Sequence, residues 1–161
     1  MKADEFDSII FDCDGVLIDV TKSYDTTINK TISYVLKEIA DITVDTPLTN
    51  EILLRFKSTG GFNDEIDITY SGILCFIAAE KLNKDPTELI LDVLNKADDS
   101  GIAYIENFLG RIDVDISDVK ARLGYPSTDK NDLIHSTFDQ LFFGPELYSK
   151  IFQKKSKFSE K

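Results

Sequence analysis

Basic side chains are scarce in this chain: 18 Lys and Arg stand against 29 Asp and Glu, giving a formal net charge of −11. Proteins that neutralise a phosphate backbone carry basic patches, so a nucleic-acid binder is disfavoured. An anionic small molecule is not excluded, because the field inside a site can oppose the net charge. The one basic cluster, Lys154, Lys155 and Lys157, is expected to be a solvated terminus. Cysteine is rarer still. Cys13 and Cys75 alone build no disulfide framework, which points to an intracellular, cytoplasmic protein. Histidine occurs once, at His135, with no metal-ligand spacing around it, so neither a zinc site nor a catalytic imidazole is expected. No apolar run approaches the ~20 residues of a membrane span; the best candidate, Ile73 to Ala79, is far too short. The first residues, MKADEFD, are acidic and do not read as a signal peptide. Repeats and low-complexity tracts are absent.

What is present is enough apolar material, 42% of 161 residues, for one average domain with a core. Most of it falls at helical spacing. Tyr24, Ile28, Ile32, Val35, Leu36 and Ile39 form a stripe that predicts a helix from Asp19 or Thr21 to Ile39, with Lys22, Asp25, Lys30 and Lys37 largely off it. Thr49 is an N-cap for a helix reaching Lys57, and Gly60-Gly61 ends it. Asp67 is placed as the cap of the next helix, which runs to Leu82 and is apolar over most of its circumference, so it should lie at the centre of a bundle. Asp85-Pro86-Thr87-Glu88 has the cap, proline and glutamate of a helix start. Asp98 and Asp99 read as a loop and helix start, and Gly110 as the close of that helix. The alternation from Arg111 to Ile116 reads as a short edge strand or a linker. Ser117 caps a helix stopped by Gly124, and 129–143 forms a last helix that Gly144-Pro145 breaks and restarts.

Ser8 to Asp12 differs from all of this. It is an unbroken apolar run of the kind found in strands buried on both faces, and it ends in Asp12-Cys13-Asp14-Gly15. In a strand, residues i and i+2 share a face, so Asp12 and Asp14 should point one way, and Cys13 should face away and pack inside. Gly15 permits a sharp turn there. Two carboxylates so close repel unless a cation or shared proton intervenes, and Asp oxygens suit Mg²⁺. A calcium loop fits poorly, because no glutamate stands where its bidentate ligand is needed.

The run FDCDGVLID resembles the first motif of the haloacid-dehalogenase-like (HAD) hydrolases, an apolar strand followed by Asp-x-Asp-Gly-x-x. The resemblance implies that Asp12 is the nucleophile and Asp14 the general acid/base. It also implies that Mg²⁺ is held by Asp12 and the backbone carbonyl of Asp14. An Asp at position 14 suits protonation of an alkoxide, which favours a phosphatase acting on a small phosphorylated metabolite through an aspartyl-phosphate. Asp19 is expected to cap the first helix rather than bind metal. Gly60-Gly61-Phe62-Asn63 is similar to a segment of certain archaeal members with a helical insertion, which would put it on the substrate side; by its residues it equally reads as a turn with Phe62 plugging the core.

The expected fold is therefore mostly α: a helical cap domain (20–150) attached to the first strand of an incomplete Rossmann-like α/β core (1–19), with 151–161 as a return segment or tail. The family's later motifs have no match: a Ser or Thr after a second strand, a phosphate-neutralising Lys, and late aspartates. The chain is thus expected to be part of a longer protein, or a degenerate gene product, with little turnover of its own. The alternative is a non-catalytic helical domain for binding or assembly, with self-association through exposed strand edges.

Overall fold

Every residue from Ile68 to Ala79 is buried, and that stretch sets the architecture. A helix apolar on all sides is stable only when other helices surround it. The computed structural model, which describes residues 8, 10–13, 16–126 and 131–159, provides them. Around α3 (Glu65–Leu82) pack α1 (Thr21–Ala40), α4 (Pro86–Leu94), α5 (Ile102–Arg111) and α7 (Leu133–Phe152). α1 also lies along α7, α2 (Asn50–Ser58) rests on α4, and α6 (Ser117–Leu123) on α7. The predicted stripe of α1 is the buried one: Ile28, Ile32, Val35 and Leu36 are fully buried, with Tyr24 and Ile39 partly so.

Local signals set most helix ends. Thr49 caps α2 by accepting from the Ile52 amide at 3.3 Å, and Asp85 caps α4 by accepting from the Glu88 amide at 2.9 Å. Gly124 stops α6. Within α7, Gly144 adopts φ 72°, a left-handed value that favours glycine, and Pro145 cannot donate across the break. Tyr24 stacks on Phe142 just before that kink, with ring centroids 4.9 Å apart.

The α/β expectation is overturned. All regular structure among the described residues is helical, with no strand and no sheet, an isolated bridge residue at Ile18 aside. Ser8, Ile10, Phe11 and Asp12 are irregular, and Ile10 and Phe11 are 94% and 64% exposed. A strand exists only where a neighbouring backbone completes its ladder, and the helices satisfy their own backbone groups and offer no edge. Cys13 is exposed rather than packed inside.

Smaller corrections have equally physical causes. Asp64, not Asp67, caps α3 by accepting from the Ile66 amide at 2.8 Å. Asp67 instead accepts from the Tyr125 hydroxyl, so a tertiary partner takes the carboxylate that sequence assigned to a local role. The N-cap position of α1 is Val20, which makes no side-chain cap. α5 continues through Gly110 to Arg111, and 112–116 is a turn and linker with Val114 and Ile116 buried. The C-terminal lysines do not form a free tail. Gln140 Oε1 accepts from the Lys157 amide at 2.8 Å, Phe158 meets Tyr34 edge-on, and the Lys157 ammonium stands 4.8 Å over the Tyr34 ring.

Candidate functional site

Asp12 is exposed, and its Oδ1 accepts from the Cys13 amide at 2.8 Å. The Cys13 carbonyl accepts from the Leu17 and Ile18 amides, both at 2.9 Å, which brings the chain back on itself before α1 begins. Asp14 and Gly15 lie outside the described residues, so the paired-carboxylate reading rests on Asp12 alone within them.

Seven residues after Asp12, Asp19 lines a cleft of about 470 Å³ at the head of α1. Seven residues of chain span at most about 25 Å. One wall is the polar face of α1. Lys22, Asp25, Thr26, Asn29 and Lys30 recur at intervals of three and four, which stacks them on one side of a helix. The facing wall is Asp45 and Thr46 from the connection between α1 and α2, together with Asn50 in the first turn of α2.

Asn29 fixes the distance between the walls. Its side-chain oxygen accepts from the Leu48 amide at 2.7 Å, and its Nδ2 donates to the Leu48 carbonyl at 3.0 Å and to the Asp25 carbonyl at 3.1 Å. Leu48 is completely buried, so these are the bonds its backbone needs in place of water. A second tie is the pair between Asp25 and Lys57, 3.6 Å apart, with the Asp25 side chain only 15% exposed.

The charges in the cleft are unevenly engaged. Lys37, Arg55, Lys57, Lys81, Lys96 and Lys120 each meet a carboxylate. Lys22 and Lys30 meet none among the described residues, as is also true of Lys84 and Lys150, and the cleft lining sets Asp19, Asp25 and Asp45 beside them. The sequence places Lys22 and Lys30 largely off the apolar stripe of α1; nothing local reveals that the Leu48 loop folds over to make that face a wall.

Two other polar groupings are structural. Tyr70 donates to Glu106 at 2.6 Å, and Glu106 receives Lys120 at 2.7 Å, which ties α3, α5 and α6 together. Burial, the bond to Glu106 and its charge all push the Tyr70 hydroxyl well above the ordinary phenol range. Burial raises the Asp67 carboxyl, with the Tyr125 hydrogen bond opposing. His135 Nδ1 lies 2.6 Å from Oδ2 of Asp132, the residue that caps α7, in keeping with a structural imidazole. A smaller cavity of about 200 Å³ opens between the C-terminal ends of α1 and α3 and α6, but the basic groups at its rim are used: Lys81 on Asp118, Arg122 on the Ile39 carbonyl. Burial pushes the Cys75 thiol up to about 12, so it is inert.

Phe62 is in the core, 1% exposed and edge-on to Phe56 at 5.0 Å. Of the two roles open to the Gly60–Asp64 loop, it has the core plug, and none of its residues lines the cleft.

Among the described residues the donor set does not by itself complete a magnesium centre. Among the described residues no three His, Cys, Asp or Glu side chains converge. Asp12 offers one carboxylate, fewer ligands than Mg²⁺ needs without waters and substrate oxygens. No helix among the described residues is long and apolar enough to cross a membrane. No protein-family model, curated protein or solved structure matches the chain.

Proposed function

We propose that this chain handles a phosphoryl group, with Asp12 as the nucleophile of an aspartyl-phosphate phosphatase of the HAD type and the α1 cleft as the place of the leaving group. One observation carries this: Asp12 stands exposed on a segment that no helix covers, and the chain from it runs within seven residues into a polar cleft. A buried or ion-paired aspartate could not approach a substrate. In the proposed reaction an Asp12 oxygen attacks phosphorus and the bond to the leaving alkoxide breaks. The alkoxide takes a proton from the acid that the motif resemblance assigns to Asp14. Water activated by the same group then releases phosphate and restores Asp12. Mg²⁺ belongs to the proposal as a counter-ion for which Asp12 is the one described ligand, and a cytoplasmic setting fits the free thiols of Cys13 and Cys75.

Lacking the family's lysine and late aspartates, these 161 residues are tested by binding rather than turnover. Calorimetric titration with beryllium fluoride and Mg²⁺, a phosphoryl mimic that adds to a carboxylate, should give saturable heat. Asp12→Ala should weaken it at least tenfold, the scale of a charge-assisted contact. Unchanged binding in that variant removes Asp12 as nucleophile. A second reading, an assembly domain, is favoured by the exposed apolar side chains of Ile10, Phe11, Val16, Leu17 and Ile18. Concentration-dependent self-association through that segment, with no response to the fluoride, would select it.

A further inference from the structure

We propose that segment 10–18 of one copy docks on the part of α7 after the Gly144 break in a second copy, and that two copies exchange these segments to form a dimer. Eight large apolar side chains are exposed among the described residues. Five of them, Ile10, Phe11, Val16, Leu17 and Ile18, lie on the segment before α1, and two, Leu147 and Ile151, lie on α7; Leu54 alone stands apart. A single exposed apolar residue is ordinary, whereas clustered ones mark a contact surface. Leu147 and Ile151 are 46% and 50% exposed and four residues apart, so they share one side of the helix. Its inward side is already supplied by Tyr148, which is buried and packs against Phe152 with ring centroids 4.7 Å apart. Charge indicates what covers the outer side. From 147 to 159 the chain has four lysines, Lys150, Lys154, Lys155 and Lys157, and no acidic residue. From 8 to 19 it has three aspartates, Asp12, Asp14 and Asp19, and no basic residue. An acidic apolar segment and a basic apolar helix face are complementary, and opposite potentials steer such surfaces together. The chain's own segment is not seated there, since both sets of apolar side chains are exposed. An anionic bilayer also suits a basic face, but the rest of the chain holds the whole acidic excess and would be repelled by it. One contact sets nine residues on two helical turns, fewer than the roughly 20–30 residues a side of a stable interface. Exchange doubles the contact and closes it, whereas a one-way contact would leave a free segment and a free face to grow from.

The proposal deepens the assembly reading by naming the face that receives the segment, and it does not need Asp12 as nucleophile. Docking covers the segment that bears Asp12, so on the phosphoryl reading the monomer is the form that binds. Association is measured without fluoride, which keeps the failure of either reading distinguishable from that of the other. Sedimentation equilibrium on the whole chain should show monomer and dimer with a dissociation constant of roughly 1–100 µM, rising with added salt. Ile151→Gln, at an exposed position, should weaken the dimer at least about tenfold with the unfolding midpoint unchanged. Lys150→Glu with Lys154→Glu and Lys155→Glu leaves both surfaces net negative, and Asp12→Lys with Asp19→Lys leaves both net positive. Each of these variants should be monomeric alone, and an equimolar mixture of the two should form a heterodimer, a recovery that damaged folds would not give. A monomer at millimolar concentration, a dimer unaffected by these substitutions, no pairing in the mixture, or species that grow beyond the dimer overturns the proposal. A monomer that cosediments with phosphatidylserine vesicles overturns it too, and gives the α7 face to a membrane surface.

Discussion

Gly101→Ala should destabilise the protein by about 3 kcal/mol and lower its melting temperature by roughly 10 °C. Gly101 precedes α5 at φ 61° and ψ −127°, a conformation open in practice to glycine alone. A Cβ there would lie 2.3 Å from the Gly61 carbonyl oxygen, and one on Gly61 would lie 2.5 Å from the Gly101 amide nitrogen. Both neighbours are backbone, so no rotamer change relieves the overlap. This crossing seats the 60–62 turn and so places Phe62 against Phe56. Gly110→Ala is the control. It lies in α5, where a Cβ would meet nothing within 4 Å, and should gain up to ~1 kcal/mol from helix propensity. Chemical denaturation of both variants reads the difference directly; similar losses in the two would show that the close crossing does not exist.

Asn29→Ala should cost about 2–4 kcal/mol and release the connection between α1 and α2 from the cleft. The substitution strips both hydrogen bonds from the Leu48 backbone, which is fully buried and has no water to turn to. The connection bearing Asp45 and Thr46 would then lose its anchor on α1, and the cleft one of its walls. Thr26→Ala alters the same face of α1, but Thr26 is exposed and does not hold the loop, so it should change stability by less than ~0.5 kcal/mol. A small loss in Asn29→Ala would mean that the loop is held by something other than Asn29.

These two sites also mark where sequence reasoning stopped. The helices were legible because their determinants are local: the stripe of α1, the Thr49 and Asp85 caps, the Gly144-Pro145 break. The central place of α3 followed from its lack of a polar face. The cleft depends on a contact between Asn29 and Leu48, 19 residues apart, and the 60–62 turn on a glycine in a distant loop. Neither pairing leaves a periodic trace. Asp64 and Asp67 are equally good caps by composition; Tyr125, brought in by tertiary structure, separates their roles. The run from Ser8 to Asp12 carries the pattern of a buried strand, but a ladder needs a second backbone, and the pattern of one segment cannot say whether a partner exists. Of the proposed site, Asp12 is legible from its motif, whereas the polar residues of α1 lie merely off its apolar stripe, and that position says nothing of an opposite wall.

The central claim is that the Asp12 segment and the α1 cleft serve one ligand. Amide NMR during titration with glycerol 3-phosphate tests it most directly. The Cys13 amide, which donates to Asp12 at 2.8 Å, should shift together with those of Thr46 and Asn50, all three fitting a single dissociation constant. Movement of the cleft amides with Cys13 unmoved, or shifts that saturate at different concentrations, would contradict it.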